Sequence, residues 1–514
     1  MQRAERVRHW SGVLDGPGWP STAAQFGVFA FLSLVTRAVT LGLPVVDVDE
    51  ASYLVGARDL LFHHGSLYVT FADHKPPLVY VYYALCLMFG DTMHAVRWMT
   101  TIVWLPLTAL ALSAFFGRGR RGCAAGVLWT VCSAAFLAHD MLAVNCEQLM
   151  MLPLAWALVV ARGPDVQPGR PYRMGLAGLL AGVAVLFKYQ AVVLVPALAI
   201  DAVASRGRAA WPGLLALLAG TVVPVAVTYA VFLATGTQQE AAYWNVWHNL
   251  LYASTPFHLA SATGRMARQL LPFLLTVSPL AYAWWLGRHL ANRQVLLLAL
   301  TTLMFAMSFL GWRFYPHYFV PLYVPLALGA APWVEASWAA GSPGGKKFAA
   351  TIAGFVIVAT VVNAALYRPS SRVYAETRPV YERVAERLRR DACYPGATMF
   401  VWGYAPIFYA ASGLPQATRF VFIDSTLVGH RSARSAPEPS LIRSDHWDLL
   451  MNDLQRRQPA YVLDTAKAGL FRWRFSVDGF PRLAAWLTRE YEPIDTIDEV
   501  RILRRRSCLA QPPG

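Results

Sequence analysis

Directly after an apolar stretch near the N-terminus stands Asp47-Val48-Asp49-Glu50-Ala51-Ser52-Tyr53, with three carboxylates inside four positions. Charge beside a bilayer is costly unless it is used. A carboxylate so placed can act as a general base or hold a cation; the plainer reading is a helix cap on a solvated loop. Further on, Asp73-His74-Lys75-Pro76-Pro77-Leu78 puts a cation and an imidazole at a rigid turn. Lys75 suits a phosphate as a point charge, or anchors the chain at an interface. Acids recur in the segment from His139-Asp140 to Asn145-Cys146-Glu147, where Glu147 also favours the start of a helix. Lys188 ends a short apolar stretch, where it can face a ligand or snorkel. Tyr243-Trp244-Asn245-Val246-Trp247-His248-Asn249 is aromatic and polar, and its lone His is more often structural than a ligand. Arg313-Phe314-Tyr315-Pro316-His317-Tyr318 offers an Arg able to clamp a phosphate or to anchor a helix end.

The elements that must position these residues are membrane helices. Of 514 residues, 56% are hydrophobic and only 15% charged, against about a quarter in soluble domains. That excludes a disordered chain, a coiled coil and an ordinary soluble enzyme. The net charge of +15 would suit nucleic acid, but the arginines sit in short clusters between apolar runs, as the positive-inside rule describes. No nucleic-acid partner is expected. Apolar runs at roughly 24–44, 96–116, 122–138, 148–161, 174–188, 190–204, 211–234, 271–287, 294–311, 319–335 and 348–367 predict about 11 transmembrane helices.

The basic clusters set the orientation. Arg3, Arg6 and Arg8, Arg118, Arg120 and Arg121, Arg162, Arg170 and Arg173, Arg206 and Arg208, Arg288 and Arg293, and Lys346 and Lys347 all fall inside if 77–90 lies in the interface without crossing. Outside then lie the loops 45–95, 139–147, 235–270 and 312–318, with every candidate residue. Charge density rises from about a tenth of residues 1–367 to about a quarter of residues 368–514. The chain thus divides into a membrane module, 1–367, and an extracytoplasmic α/β domain, 368–514. Its helices are expected at 374–391, 445–457 and 481–490, and its strands at Thr398–Trp402, Ala460–Asp464 and near 499–504. Six cysteines show no metal spacing. Cys393 and Cys508 lie together in the tail, where two free thiols are favoured over a disulfide.

Acids, cations and two histidines thus converge on one face of a membrane, beside an apolar interfacial helix able to admit a lipid tail. Such a set can work on a lipid-linked phosphate: cations for the leaving group, a carboxylate for the nucleophile, an apolar groove for the tail.

The ordered series Asp49-Glu50-x-x-Tyr53, His74-Lys75-Pro76-Pro77-Leu78, Phe89-Gly90, Arg97, Asn145-x-Glu147, Gly178-x-x-x-Gly182 with Lys188, and Arg313-Phe314-x-x-His317-Tyr318-Phe319-x-Pro321 resembles glycosyltransferase family 39 and the related aminoarabinose transferases. The tail segment Val401-Trp402-Gly403-x-x-Pro406-x-x-Tyr409 is similar to bacterial members. The resemblance covers about residues 24–420. It implies a GT-C fold and an inverting glycosyltransferase of the bacterial inner membrane. The donor would be a polyprenyl-phosphate sugar, and the acceptor a protein, lipid A or a surface glycan on the outer face. Asp49 resembles the catalytic base, Glu50 its neighbour in an Asp-Glu pair, and Glu147 the acid that positions acceptor or metal. Lys75, with Arg313, Lys188 and His74, resembles the contacts to the lipid phosphate. His248 stands where some aminoarabinose transferases place a metal-ligand histidine; the partner there is a Glu before the Lys-Pro, and this chain has His74. A divalent cation is therefore left open, and no other cofactor is implied. A transporter or flippase of lipid-linked sugars is the alternative. It should place charges near the bilayer midplane and show paired halves, and the sequence shows neither.

Overall fold

The computed structural model describes residues 21–134, 141–164, 166–167, 169–253, 259–290, 293–366, 379–430, 437–470 and 473–510. Each apolar run read from the sequence is helical there. Six helical segments among the described residues are long and apolar enough to cross a bilayer by length and composition: Thr22–Leu41, Met93–Ala114, Tyr189–Ala234, Ala262–Leu286, Pro316–Ala339 and Pro343–Val362. Tyr189–Ala234 takes in two of the runs, and Pro171–Phe187 and Gln294–Met307 are apolar but short. About eleven crossings therefore remains a proposal. Segment 77–90 forms the ten-residue helix Leu78–Leu87, too short to span. It buries Tyr80 and Tyr83 and exposes Leu85, with Met88 and Phe89 exposed just beyond.

Small residues let the helices approach. Pro171–Phe187 packs along Trp211–Ala234, and a Cβ on Gly178 or Gly182 would lie 2.2 Å from the Leu217 carbonyl oxygen or 2.4 Å from that of Thr221. The Gly-x-x-x-Gly spacing is therefore a packing device, and it fixes where Lys188, the residue after this helix, is delivered.

The C-terminal region holds a four-stranded sheet: β1 (Met399–Trp402), β2 (Tyr461–Asp464), β3 (Tyr491–Ile497) and β4 (Val500–Arg505), in the order β1-β2-β4-β3. β1 and β2 are parallel and buried at every position, as their unbroken apolar runs imply. β4 runs antiparallel to both β2 and β3. β3 is the one strand the sequence did not mark. Its Glu492, Pro493 and Asp495 weaken the apolar alternation, and a register shift falls between Pro493 and Asp495. Asp498 and Glu499, both left-handed, make the tight turn into β4. The expected helices are Val380–Arg389, Ser444–Arg457 and Pro481–Glu490; positions 374–378 lie outside the described residues.

Cys393 and Cys508 are bonded to each other, contrary to the reading of two free thiols. The sheet order brings the end of β4 back to the loop after Val380–Arg389, closing a distance of 115 residues that spacing alone could not reveal.

This region docks on the loop after the first long helix. Helix Ile407–Ser412 packs on helix Val48–Phe62. Arg58 donates to the carbonyls of Tyr409 (3.3 Å) and Ala410 (3.2 Å), and the Ala72 N–H donates to the Arg419 carbonyl at 2.9 Å.

Candidate active site

Helix Val48–Phe62 begins with a capping box: Asp47 accepts the backbone N–H groups of the first turn, and Glu50 reaches back to the Asp47 N–H. That start turns Asp49 and Tyr53, one helical turn apart, to the same side. Asp49 Oδ2 lies 2.7 Å from Lys75 Nζ and accepts the Tyr53 hydroxyl at 3.3 Å. Lys75 also stands 5.7 Å from the centre of the Tyr53 ring. The side chains of Asp49 and Lys75 are only 16% and 11% exposed. Burial alone would raise the Asp49 carboxyl, but the charges of Lys75 and His317 overcome it and hold the group below the ordinary carboxylate range. Burial likewise opposes the Lys75 charge, and Asp49 and Asp73 outweigh it, so the ammonium titrates well above its ordinary value. The pair is ionic.

A second pair lies beside the first. Glu147, in the short helix Cys146–Leu149, is 2.9 Å from Lys188 Nζ. His317 Nε2 approaches the same carboxylate at 3.9 Å, and Lys188 sits 5.3 Å from the Tyr318 ring centre. Burial again works against the Glu147 charge, and Lys188 and His317 keep the group below its ordinary range. Two contacts join the pairs. His317 acts on both carboxylates, and the Cys146 thiol donates to the same Tyr53 hydroxyl that bonds Asp49. The loop at 139–147 is described only from residue 141, so His139 and Asp140 lie outside the described residues.

Asp73 braces the turn that presents Lys75. It accepts from the Tyr80 hydroxyl (2.7 Å), the His74 N–H (2.6 Å) and the Ser52 hydroxyl (3.3 Å). Arg313 is half-buried on a turn in which Gly311, Trp312 and Phe314 all take left-handed backbone conformations. For bulky residues that costs about 1–3 kcal/mol each, and the turn hands the chain on to His317.

Glu50 is placed elsewhere than its neighbour. It is fully buried, paired with Arg97, and accepts the N–H groups of Val46 (2.7 Å) and Val144 (2.8 Å). Arg97 also donates to the carbonyls of Thr40 and Leu43. Leu54 lies one helical turn and Arg58 two turns beyond Glu50, on a face turned away from Asp49 and Tyr53. Adjacency in sequence puts the two acids about 100° apart on a helix. The Asp-Glu pair is thus two residues with separate surroundings, one facing the cluster and one tying the loop to the bundle.

His74 and His248, read together as possible metal ligands, lie side by side. Their rings stack at 5.7 Å, and among the described residues no group of three His, Cys, Asp or Glu side chains is arranged to hold a metal ion. His74 Nδ1 faces Asp73 at 3.1 Å, and His248 Nε2 faces Asp424 at 3.7 Å. Burial pushes the His248 imidazole down to about 4, so it is neutral near pH 7. Asp424 and His446 come from the C-terminal region: Asp424 accepts the Thr426 hydroxyl (2.6 Å), Thr426 meets His446 Nδ1 (2.7 Å), and Trp244 stacks on His446. No sequence signal marked Asp424 or His446, because their place depends on the docking of the tail. His317 stood in a motif, yet its closeness to both acids required the fold.

No protein-family model matches the chain, and no curated protein matches it by sequence. Solved structures do. ArnT from Cupriavidus metallidurans in the apo state is similar with a TM-score of 0.57 at 17% identity, over 95% of this chain and 99% of that one. The structure of the same protein bound to undecaprenyl phosphate is similar with a TM-score of 0.57 at 16% identity, over 95% and 99%. This chain therefore has the GT-C fold of ArnT, and the likeness shows the fold alone.

Proposed function

We propose that this protein is an inverting membrane glycosyltransferase that moves a sugar from a polyprenyl-phosphate donor to a protein, lipid or glycan acceptor on the extracytoplasmic face. The observation that carries the reading is the buried ionic pair Asp49–Lys75, set beside Glu147, Lys188 and His317 in a fold shared with an undecaprenyl-phosphate-binding protein.

The acceptor's oxygen or nitrogen attacks the anomeric carbon as the bond from that carbon to the phosphate oxygen breaks. Polyprenyl phosphate leaves with the bond's electrons, and the acceptor's proton passes to Asp49. Lys75 meets the charge that develops on the leaving phosphate, with Lys188 and Arg313 in support. Lys75 explains how a carboxylate held below its ordinary range becomes a base. An incoming phosphate competes for the ammonium, and as Lys75 turns toward it Asp49 loses its partner and gains proton affinity. Glu147 orients the acceptor or Lys188. Glu50 is a positioning residue, held by Arg97. His74 and His248 do not fit a divalent cation, and no step is routed through one.

The Cys393–Cys508 disulfide supports an extracytoplasmic place for the tail, because such bonds persist in oxidising compartments. The division at 367/368 and the bacterial inner membrane belong to the same proposal. The test is sugar transfer from labelled polyprenyl-phosphate sugars in proteoliposomes. Donor consumed and sugar found on an acceptor supports the reading. Labelled lipid crossing the bilayer with no donor consumed would replace it with a flippase.

A further inference from the structure

Lys75 stands before Pro76 and Pro77, which carry no N–H and so cannot donate to the carbonyls of their own turn. Other segments hold those carbonyls. The Asn249 side-chain amide donates to the His74 carbonyl at 2.8 Å. The Tyr68 hydroxyl donates to the Lys75 carbonyl at 2.8 Å. The same hydroxyl lies 3.2 Å from Asn245 Oδ1, which also accepts the hydroxyl of Tyr189. Tyr189 directly follows Lys188. One amide oxygen thus joins the backbone at Lys75 to the segment that delivers Lys188.

Local structure favours this arrangement. Asn245 and Asn249 stand one turn apart in the helical stretch formed by Tyr243–Trp247 and His248–Ala253, so their side chains leave on one side. The stretch opens on a wide turn in which the His248 N–H bonds the Tyr243 carbonyl five residues back, a form frequent at functional sites. Asn245 donates to the Ala241 carbonyl at 2.8 Å, which fixes its amide with the oxygen toward the two tyrosines. Tyr68 is fully buried and takes a left-handed backbone, φ 70°, that bulky residues rarely adopt. Strain of that kind persists where the surroundings hold a residue to a task. A phenylalanine would fill the same space against Phe232; it is the hydroxyl that reaches the Lys75 carbonyl.

Taking Lys75 as the cation for the donor phosphate, as proposed above, we propose that Tyr68, Asn245 and Asn249 are positioning residues that fix the backbone beneath Lys75. The ammonium then exchanges Asp49 for the phosphate by side-chain rotation alone, at a set distance from Lys188. Misplacing a reacting group by about 1 Å can cost about 100-fold in rate.

The test is a double-mutant cycle on the binding of undecaprenyl phosphate to the purified full chain in detergent micelles, with thermal unfolding of each variant. Tyr68→Phe removes a hydroxyl and Asn249→Leu a donor, each with little change of shape. Each should weaken binding about tenfold when Lys75 is present. In the Lys75→Met chain the same changes should alter binding by less than about twofold, because no ammonium is left to place. A residue that merely supports the fold would weaken binding by the same factor in both backgrounds, and that result overturns the proposal. So does wild-type affinity in Tyr68→Phe and Asn249→Leu while Lys75→Met binds weakly. Wild-type affinity in Lys75→Met would instead remove Lys75 from the phosphate, and the positioning role with it. Asn249 is half-buried, so Asn249→Leu decides the matter if Tyr68→Phe does not fold.

Discussion

Asp49→Asn replaces one carboxylate oxygen by an amide nitrogen and leaves the shape of the side chain. It removes the group proposed to take the acceptor's proton, and it strips Lys75 of a charge 2.7 Å away. The two losses differ in size. At an effective dielectric constant near 20, attraction across that distance is about 6 kcal/mol. Desolvation of two largely buried ions offsets several kcal/mol of this. Asp73 still acts on the ammonium, so the net loss of stability should be about 1–3 kcal/mol, a fall in Tm of a few degrees. Loss of a positioned base costs about 10²–10⁴ in rate, or about 3–5 kcal/mol of transition-state stabilisation. Transfer should therefore drop at least about 100-fold in protein that remains folded. Donor binding should persist or tighten, because the phosphate no longer competes with Asp49 for Lys75. The assay is sugar release from labelled polyprenyl-phosphate sugars in proteoliposomes, with donor retention and thermal unfolding measured on the same preparations. Turnover within about tenfold of wild type would refute the base assignment. Donor binding lost along with turnover would mean that Asp49 holds the donor.

Glu50→Gln and Arg97→Met should act on folding: removing one partner of a fully buried pair costs about 3–5 kcal/mol, so thermal unfolding should show a large fall in Tm, and an Asp49-like catalytic defect in stably folded protein would contradict the positioning role. The carboxyls of Asp49 and Glu147 titrate below their unfolded values, so their stabilisation is complete above about pH 4 and is lost as pH falls through the folded values; Tm followed from pH 7 to pH 3 should fall more steeply for wild type than for Asp49→Asn/Glu147→Gln, and parallel curves would exclude the ionic pairs. Cys508→Ser should destabilise the C-terminal region by about 2–4 kcal/mol, and dithiothreitol should lower the wild-type Tm to the variant's value; no response to reductant would mean that the thiols are free.

Local chemistry carried much of this molecule into the sequence. Apolar length marks a helix because backbone groups in a bilayer must bond within their own segment, so each apolar run appears as a helix. β1 and β2 were legible because strands buried on both faces are continuously apolar; β3, broken by charge and Pro493, was not. Asp49, Lys75, Glu147 and Lys188 were legible because charged groups at helix ends beside a membrane are rare enough to stand out.

What the chain alone could not decide is which charges meet. Asp49 and Glu50 are neighbours in sequence, yet helix geometry turns one to Lys75 and the other to Arg97. His74 and His248 have ligand chemistry, yet His74 faces its chain neighbour Asp73, the docked tail brings Asp424 to His248, and the two rings stack. Cys393 and Cys508 become a pair only through the order of the sheet. Residue type and spacing determined the helices and the kind of charge at their ends. The pairing of those charges was decided by tertiary structure, because electrostatic contact depends on a few ångströms between segments whose separation in sequence carries no such distance.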